Sequence, residues 1–573
     1  MNAKAPVSTA PPAAAAAGRL GVLLTCFALA ALALVARAVN LQIMEADAWQ
    51  DEGAAQYLRT VELPVVRGQI NDRNGEPLAV STPVTSLAAK PAKLLDAPGQ
   101  TAELAGLLKV DADDLERTLA SRQMRDFLWL RRHLTPETAT ALRDSGLEGL
   151  IFRREYKRFY PAGEVIAQVT GLTNIDDIGQ EGVELMFNDW LRGTPGSQRV
   201  IRDARGRVIR HVERLRDAAP GRDLTLTIDL RLQYLAYREL QSAVLQHGAE
   251  AASLVLLDAR NGDILALANY PSYNPNQRGV KPGDPMRNRA LTDPFEPGSV
   301  IKPFIAAAYL EAGIATPVTP VDTSPGRLPV GEFTVRDIRD YGRLDLTGVL
   351  VKSSNVGMAK LALTVPGEHL RNVLERFGFG AISGTGFPGE SPGVLRRRPR
   401  WTPLEQATLS YGYGLSVTLL QLAQAYGAIA GGGRLYEPRL LHRETPPATR
   451  SVLDPALARQ LTAMLEAVVN TPGGTGRAAR VPLYRVAGKT GTSRKNSEGV
   501  YQSRYFASFS GFAPVSRPAL VLVVQLDDPA GDDYYGGEIA APVFARVMAG
   551  ALRILDIPPD DYDQGYAAVE AQP

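Results

Sequence analysis

An uncharged run of 17 residues near the N-terminus, Leu20 to Ala36, constrains this chain more than any other feature of its sequence. Arg19 and Arg37 bound the run. Its length lies at the lower limit for a helix that spans a membrane. In lipid, only a helix or a closed barrel satisfies every backbone N–H and C=O group. We therefore predict a transmembrane anchor over residues 20–38.

The same segment allows a second interpretation. Ala36-Arg37-Ala38 has the small-x-small form of a cleavage site, which is typical of a removable signal sequence. The length of the apolar run favours an uncleaved anchor. Because positive charge favours the cytoplasmic side of a membrane, Lys4 and Arg19 place residues 1–19 in the cytoplasm and the bulk of the chain beyond the inner membrane.

The charge and the rare residue types argue against several classes of function. The 573-residue chain has a net charge of only +2, with no basic stripe of the kind that binds nucleic acid. Its single cysteine, Cys26, lies in the apolar run, and its five histidines are scattered without the spacing of metal ligands. We therefore predict no disulfide, no metal site, no cofactor and no nucleic-acid partner.

Residues 39–222 have the pattern of a structural or docking domain. An extended segment that begins at Arg67-Gly68 is turned by Asn74-Gly75. Residues 153–161 alternate as a strand, and residues 203–207 have the composition of a hairpin turn. We recognise no nucleophile with a base beside it in this region, so we expect the chemistry to lie further along the chain.

Residues 223–558 are predicted to form an α+β domain, followed by a tail over residues 559–573. Strands near both ends of the domain enclose a long, mostly helical middle, which favours an antiparallel sheet that is completed by both ends and packed between helices. The predicted strands are residues 224–228, 253–258, 263–268, 506–512 and 520–526, with a hairpin turn at Asn261-Gly262 and a helix over residues 543–555.

Within this domain, the segment from Glu296 to Pro303 contains a serine three residues before a lysine. Pro297-Gly298 ends the preceding segment, and an apolar run then predicts a buried helix that begins at about Ser299. Positions three apart share one face of a helix, so the Lys302 amine is expected one turn from the Ser299 hydroxyl. A partly neutral lysine in that position can accept the proton of the serine and make it a nucleophile.

Two further motifs follow downstream. Ser353-Ser354-Asn355 enters a helix from a turn, and Lys489-Thr490-Gly491-Thr492 follows an alternating strand pattern. Taken separately, Ser-x-x-Lys and Ser-x-Asn are typical of helix caps, and Lys-Thr-Gly is typical of a strand edge. Their order and spacing supply the specificity that each motif lacks alone.

Together the three motifs resemble the signature of the penicillin-recognising serine acyltransferases. The resemblance is strongest to the class B penicillin-binding proteins, of the division-septum peptidoglycan D,D-transpeptidase type. It implies a non-catalytic pedestal or dimerisation-like domain before a transpeptidase domain of the penicillin-binding, serine β-lactamase-like fold. The further stretches that carry it are Arg67-Gly68, Met286-Arg287-Asn288-Arg289, Tyr411-Gly412-Tyr413-Gly414, Tyr535-Gly536-Gly537 and Ala541-Pro542-Val543-Phe544.

The resemblance implies a catalytic role for five residues. Ser299 attacks the carbonyl between the last two D-alanines of a stem peptide, and Lys302 accepts its proton. Ser353 relays that proton to the leaving D-alanine, and Asn355 orients Lys302 and hydrogen-bonds the substrate amide. Lys489 adds a positive charge that lowers the proton affinity of its neighbours.

The resemblance also implies how the substrate is held. Thr490, Gly491 and Thr492 form the substrate-binding strand, with the two hydroxyls directed to the terminal carboxylate of the stem peptide. The backbone N–H groups of Ser299 and Thr492 form the oxyanion hole. A neighbouring stem supplies the amine that resolves the acyl-enzyme. The implied partners are peptidoglycan stem peptides, β-lactam antibiotics, a separate membrane glycosyltransferase and other division proteins.

Two other functions stay open at this level. The same constellation serves a D,D-carboxypeptidase or a β-lactamase, although no glutamate between Asn355 and Lys489 lies in a recognisable deacylation loop. A membrane-anchored β-lactam sensor or scaffold is the second alternative. The intact Ser299 and Lys302 argue against an inactive scaffold, and the short tail of residues 1–19 leaves little room for a signalling module.

Overall fold

The computed structural model describes residues 13–44, 58–202, 208–277, 283–398, 400–497, 499–531 and 533–561. The hairpin turn predicted at residues 203–207 lies outside these residues. The described residues form two compact units, one within residues 1–65 and 194–219, the other within residues 66–193 and 220–573.

The strands are numbered here in chain order. They are β1 Leu58–Leu63, β2 Ile70–Asn71, β3 Pro77–Ala89, β4 Leu128–Leu134, β5 Leu150–Phe159, β6 Gly196–Arg202, β7 Val208–Arg216, β8 Leu224–Thr225, β9 Ala251–Asp258, β10 Ile264–Tyr270, β11 Pro320–Asp322, β12 Arg327–Val330, β13 Phe333–Arg336, β14 Arg343–Asp345, β15 Arg434–Tyr436, β16 Thr449–Ser451, β17 Ala487–Ser497, β18 Val500–Ala513 and β19 Leu520–Asp527.

The helices are identified by their bounds. The α-helices are Ala13–Val39, Pro91–Leu95, Gln100–Leu108, Ala112–Ala120, Pro136–Asp144, Ala167–Thr170, Gly182–Met186, Asn188–Arg192, Leu230–His247, Arg289–Thr292, Lys302–Glu311, Leu346–Lys352, Asn355–Ala362, Gly367–Arg376, Pro403–Leu409, Leu419–Ala430, Pro455–Asn470 and Gly536–Ile554. A π-helical turn covers Asn40–Met44, and 3-10 turns cover Gly163–Val165, Asp284–Met286, Gly298–Ile301 and Arg477–Ala479.

The first unit contains the apolar N-terminal helix and a small sheet. The helix Ala13–Val39 continues into the π-helical turn, and its residues 18–44 are long and apolar enough to cross a membrane. Side chains such as Leu23, Phe27 and Leu34 are exposed along it, as expected for a surface that lipid covers. The three strands of the sheet lie in the order β1-β6-β7 and pair antiparallel.

The second unit is built around a five-stranded antiparallel sheet in the order β10-β9-β19-β18-β17. Two of these strands come from residues 251–270 and three from residues 487–527, so segments from both halves of the predicted catalytic domain complete one sheet. This confirms the predicted α+β class. The strand predicted at residues 224–228 does not join the sheet: only Leu224–Thr225 is a strand, β8, and it pairs with β2 in the other sheet. The hairpin at Asn261-Gly262 joins β9 to β10 as predicted, and the C-terminal helix begins earlier than predicted, at Gly536.

Helices cover both faces of this sheet. Successive residues of β9 point to opposite faces: Leu254 and Leu256 pack in one core, Val255 and Leu257 in the other. The first core contains apolar residues of the helices Leu230–His247 and Gly536–Ile554. Helices 302–311, 419–430 and 455–470 contribute to the second core. Because water is excluded from both faces, β9 is buried along its whole length.

A second sheet of this unit includes strands from residues 70–159. It runs in the order β4-β3-β2-β8, and β5 also pairs with β3. The turn predicted at Asn74-Gly75 joins β2 to β3, and Asp72 holds it by accepting hydrogen bonds from the N–H groups of Asn74 and Glu76 at 2.7 and 2.9 Å. Asp72 also accepts from the N–H of Leu230, the first residue of a helix that packs on the five-stranded sheet.

A buried ionic cluster lies next to this second sheet. The guanidinium nitrogens Nε of Arg67 and Arg158 each donate to Glu184, at 2.7 Å, and the three side chains are at most 2% exposed. Arg67 also donates to the backbone oxygen of Asp177 and to Asn188 Oδ1. Each of these three side chains depends on the others, because removal of any one of them would leave an uncompensated charge in the interior.

We expect Glu184→Ala to lower the free energy of unfolding by about 3–5 kcal/mol, because Arg67 and Arg158 would then stay buried without a counter-charge. Urea unfolding followed by tryptophan fluorescence measures the change. Glu368→Ala is the matched control. It removes an exposed glutamate that pairs with Arg371, and its effect should stay below about 1 kcal/mol. Equal effects of the two substitutions would contradict the prediction.

Candidate active site

Ser299 lies in a tight turn at the edge of a cleft. The turn is the 3-10 segment Gly298–Ile301, and the α-helix begins only at Lys302, three residues later than predicted. Side chains three apart eclipse one another in a 3-10 turn, so Ser299 and Lys302 still share one side. Ser299 is partly exposed and lines the cleft, whose volume is about 740 Å³.

The turn is held by close contacts with two other segments. The N–H of Gly298 donates to the backbone oxygen of Gly412 at 3.1 Å. A Cβ atom on Gly412 would lie 2.0 Å from the Gly298 oxygen, and a Cβ on Gly298 would lie 2.9 Å from the Thr492 oxygen. Both glycines also have positive φ. Side chains at these positions would therefore push the nucleophile turn away from its neighbours.

Lys302 is fully buried behind Ser299. Its Nζ donates to the backbone oxygen of Ser353 and to Asn355 Oδ1, both at 2.7 Å, and lies 3.3 Å from Ser353 Oγ. Burial lowers the pKa of Lys302 to about 7, although the Asp337 carboxylate partly opposes this effect. A substantial fraction of the lysine is therefore neutral near pH 7, as a proton acceptor must be.

The Ser353-Ser354-Asn355 turn leaves one hydroxyl free for the site. Ser354 caps the following helix by accepting from the N–H of Gly357 at 2.9 Å. Ser353 instead ends the preceding helix, Leu346–Lys352, as its C-cap in a left-handed conformation with φ of 57°. This backbone geometry places its Oγ between Lys302 and Lys489, at 3.3 and 2.9 Å from the two amines.

Lys489 is the second buried amine. Besides Ser353, it contacts the backbone oxygen and the hydroxyl of Thr490, at 3.1 and 3.3 Å. Burial and then the charge of Lys302 hold the pKa of Lys489 well below its ordinary value. Two charged amines this close would repel each other in a dry site, so the pair favours the loss of one proton.

The strand β17 carries the third motif at the edge of the sheet. It pairs with β18 on one side, and Thr490 and Thr492 line the cleft. Thr492 Oγ1 accepts from the N–H of Gly536 at 3.0 Å, so its own O–H stays available to a ligand. A Cβ atom on Gly491 would be 2.4 Å from Ser508 Oγ on β18, and 2.9 Å from Val300 and 3.1 Å from the Pro297 oxygen in and beside the nucleophile turn.

Five of the eight residues singled out in the sequence line one cleft, namely Ser299, Ser353, Asn355, Thr490 and Thr492. The buried Lys302 and Lys489 both contact Ser353, and Gly491 allows the close approach of β17 to the nucleophile turn.

The structure also adds two carboxylates that the sequence analysis missed. Asp337 accepts from the N–H groups of Asn355 and Val356, at 2.5 and 3.1 Å, and thereby fixes the second motif. The only sequence signal for Asp337 is its place just after a strand, at the end of β13.

Glu296 is the second missed carboxylate. It accepts from the N–H of Gly414 at 2.8 Å and from the Tyr501 hydroxyl at 3.2 Å, and burial raises its pKa. It therefore ties the segment before the nucleophile to the Tyr411-Gly412-Tyr413-Gly414 loop. Among the described residues, no group of three or more His, Cys, Asp or Glu side chains is placed to hold a metal ion.

Comparison with known proteins places this site in a family. The penicillin-binding protein transpeptidase domain matches residues 252–549, and the penicillin-binding protein dimerisation domain matches residues 62–226. The chain is 41% identical to the peptidoglycan D,D-transpeptidase FtsI of Escherichia coli K12, over 96% of this chain and 93% of that protein. The chain belongs to the class B penicillin-binding proteins. A probable peptidoglycan D,D-transpeptidase of Pseudomonas aeruginosa, PbpC, is 43% identical over 97% of this penicillin-binding protein and 98% of the relative.

Solved structures of penicillin-binding proteins agree with the fold. The transpeptidase domain of penicillin-binding protein 3 from Burkholderia pseudomallei is 40% identical to this chain, with a TM-score of 0.54. The match covers 58% of this chain and 97% of the Burkholderia chain. Penicillin-binding protein 3 from Mycobacterium tuberculosis, complexed with aztreonam, is 29% identical, with a TM-score of 0.67. That match covers 87% of this chain and 98% of the Mycobacterium chain. The pedestal and the transpeptidase fold implied by the resemblance are thus confirmed.

The rate at which benzylpenicillin acylates this penicillin-binding protein should follow the protonation of Lys302. Since its pKa is about 7, the rate constant should rise about tenfold per pH unit below pH 6 and level off above about pH 8. Stopped-flow or quenched acylation between about pH 5 and pH 9 measures the profile. A rate that is flat across this range would contradict a proton-accepting role for Lys302.

Gly491→Ala should slow acylation by at least about tenfold while the protein stays folded. The new methyl group would displace the Ser508 side chain on β18 and push the nucleophile turn away from β17. Acylation rate and melting temperature are measured together. Gly106→Ala is the control, since a Cβ atom there meets nothing within 4 Å in an exposed helix, and it should leave the rate unchanged. Equal rates for the two variants would contradict the role of the close contact.

Proposed function

We propose that this class B penicillin-binding protein cross-links peptidoglycan stem peptides at the division septum through an acyl-enzyme on Ser299. The protein is a serine-type D,D-transpeptidase by family, with relatives named as such over nearly the whole chain. The observation that carries the assignment to Ser299 is the pair of buried lysines joined through the Ser353 hydroxyl directly behind the cleft that Ser299 lines.

In the proposed first step, Ser299 Oγ bonds to the carbonyl carbon between the last two D-alanines while its proton passes to Lys302. The depressed pKa of that lysine supports this role. The negative carbonyl oxygen would be held by the backbone N–H groups of Ser299 and Thr492, each worth about 3–4 kcal/mol in comparable acyl transfers. β17 pairs with a strand on one side only among the described strands, which supports free N–H groups on the other.

Expulsion of the terminal D-alanine requires a proton at its nitrogen. Ser353 is placed for this transfer, because its Oγ lies within 3.3 Å of Lys302 and 2.9 Å of Lys489. A proton from Lys302 would move to Ser353, and that of Ser353 to the leaving amine, as the C–N bond breaks. Asn355, fixed by Asp337, keeps the Lys302 amine at 2.7 Å.

The terminal carboxylate of the donor would meet Thr490 and Thr492. The Thr492 hydroxyl already accepts a hydrogen bond from Gly536, so its proton is free to be donated to a carboxylate. Lys489 supplies positive charge beside Thr490. In the second step an amine of a neighbouring stem would bond to the carbonyl carbon of the acyl-enzyme. The bond from that carbon to Ser299 Oγ would then break, and the proton lost by the amine would pass to Ser299 Oγ, which releases the cross-linked product.

The domain assignment remains our proposal. Residues 39–222 would form the pedestal, residues 223–558 the transpeptidase domain, and residues 559–573 a tail. The chain is a single-pass membrane protein by its N-terminal apolar helix. We further propose that this helix lies in the inner membrane with residues 1–19 in the cytoplasm. A separate membrane glycosyltransferase and other division proteins would bind at the anchor and the pedestal.

Hydrolysis by the same site is the alternative to transfer. The carboxylates that line the cleft are Asp337 and Glu538. Asp337 accepts from two backbone N–H groups and from the Ser354 hydroxyl, so it is engaged in structure and does not activate a deacylating water in our proposal. Glu538 begins the C-terminal helix as an acidic residue of its first turn, and our proposal gives it no part in deacylation. We therefore propose transfer to an amine, and the lifetime of the acyl-enzyme decides between transfer and hydrolysis.

Full-length protein in detergent, mixed with benzylpenicillin and followed for hours by intact-mass spectrometry, tests the assignment. A penicilloyl adduct should form and persist, Ser299→Ala should abolish it, and Ser121→Ala, remote from the cleft, should retain it. An adduct on the Ser299→Ala variant would overturn the nucleophile assignment. An adduct that clears within seconds would identify a hydrolase, and no adduct on the unmodified protein would favour a scaffold.

A further inference from the structure

A second cavity lies behind the segment that leads to the nucleophile turn. Its volume is about 460 Å³, and it shares no lining residue with the catalytic cleft. Side chains from residues 287–295 cover one side of it, and residues of β9, β17, β18 and β19 form the other side. This space, called the rear cavity below, has the size of a small-molecule site. The reaction proposed above uses none of its lining residues.

Five charged side chains line the rear cavity, and four of them form ion pairs. Arg287 lies 3.0 Å from Asp293, and Lys495 lies 2.6 Å from Asp527. The fifth, Arg289, pairs with no carboxylate in the part of the chain that the structure describes. A charge without a partner in a partly closed space is costly. The lining therefore keeps one positive charge that a ligand can neutralise.

Two hydrogen-bond donors of this lining are also without partners among the described residues. They are Arg289 Nη1 and Gln525 Nε2, both of which are buried. Buried donors in folded proteins are normally paired. The two side chains are only half-buried as a whole, so the rest of each remains open to the cavity. The donor set thus suits a ligand that accepts hydrogen bonds.

The backbone that carries Arg289 is fixed from the sheet. Asn269, on β10, donates from Nδ2 to Asn288 Oδ1 and accepts from the N–H of Ala290, both at 2.9 Å. The residues on both sides of Arg289 are therefore held, and the arginine does not depend on an ion pair for its position. An arginine that is held in place without a counter-charge is preorganised for an anion.

The rest of the lining includes an aromatic wall. The rings of Phe295 and Phe506 lie with their centroids 5.4 Å apart, and Lys495 Nζ lies 5.1 Å from the Phe506 ring centroid. Pro294 extends this apolar surface. An inorganic anion would neutralise Arg289 but would leave the aromatic wall in contact with water. A carboxylate on an apolar body would satisfy both parts of the lining.

We propose that the rear cavity binds a small organic carboxylate, which pairs with Arg289 while its apolar part packs on Phe295 and Phe506. The planar guanidinium matches the two oxygens of a carboxylate, and Gln525 supplies a further donor. Asp293 and Asp527 are held in ion pairs, so they do not repel the ligand as free charges would. This site goes beyond the proposed function and does not depend on it.

The position of the site gives the ligand access to the nucleophile segment. Phe295 donates its N–H to the backbone oxygen of Val417 at 3.0 Å, and the chain then continues through Glu296 to the nucleophile turn. A ligand packed on Phe295 would therefore contact the segment that supports Ser299 from the side opposite to the substrate.

N-Acetylphenylalanine and its carboxamide test the proposal, because they share one apolar body and differ in charge. Binding to the full-length protein in detergent is followed by ligand-observed saturation-transfer NMR, with protein-free detergent as the blank. The acid should reach half-saturation at a concentration at least about tenfold lower than the amide, as expected for a hydrogen bond to a charged group. Inorganic phosphate should displace the acid only at a concentration about tenfold higher or more, because it buries no apolar surface.

Arg289→Gln should weaken binding of the acid at least about tenfold and remove its preference over the amide. Arg289→Lys should keep part of the preference, because the charge remains while the forked donor is lost. Arg477→Gln, which removes a positive charge from the catalytic cleft, should keep all of it. Saturating benzylpenicillin should also leave binding of the acid unchanged. The melting temperature of Arg289→Gln should not fall, because no ion pair among the described residues is lost.

Equal binding of the acid and the amide, including no binding of either, would overturn the proposal. So would a preference that survives in Arg289→Gln. A preference that Arg477→Gln or benzylpenicillin removes would place the acid in the catalytic cleft, and phosphate that binds as tightly as the acid would contradict an organic ligand. A lower melting temperature of Arg289→Gln would show that the fold itself uses this charge. Failure of the proposed function is seen separately, as the absence of an adduct on Ser299.

Discussion

Two lysine amines that share one serine hydroxyl are the interaction on which this structure depends. Ser353 Oγ lies 3.3 Å from Lys302 and 2.9 Å from Lys489, and both lysines are fully buried. Desolvation disfavours both charges, and each charge disfavours the other, so the arrangement makes a base from a residue that is ordinarily protonated. Such a pair is costly to bury, and the large sheet and its two helical layers supply the surroundings that enforce it.

The site also depends on the approach of three backbones that are far apart in sequence. The nucleophile turn, the loop at Gly412 and the edge strand at Gly491 meet at distances where a single methyl group would intrude. The glycines do not provide flexibility here. They allow rigid segments to touch, and the precision of the catalytic distances follows from that packing.

The chemistry of the site was accessible from sequence, because its residue types are few and their order is distinctive. The fold class followed from strands at both ends of a helical middle. Asp337 and Glu296 were not predictable, because each acts on backbone groups brought to it by folding. The same holds for Glu184. Its partners, Arg67 and Arg158, are distant in sequence, and the residues around them give no pattern that predicts the pairing. The start of the catalytic helix was predicted three residues too early. Residues Gly298–Ile301 form a 3-10 turn, and the α-helix begins at Lys302, directly before a proline.

The left-handed backbone at Ser353 limits how this enzyme can evolve. Threonine carries the same hydroxyl, yet its branched Cβ is strongly disfavoured at a φ of 57°. Glycine and asparagine accept the conformation but supply no hydroxyl there. At this position, therefore, steric hindrance excludes threonine, and the missing hydroxyl excludes glycine and asparagine. Under antibiotic selection, adaptation has to proceed through neighbouring residues whose backbone conformation more side chains can adopt.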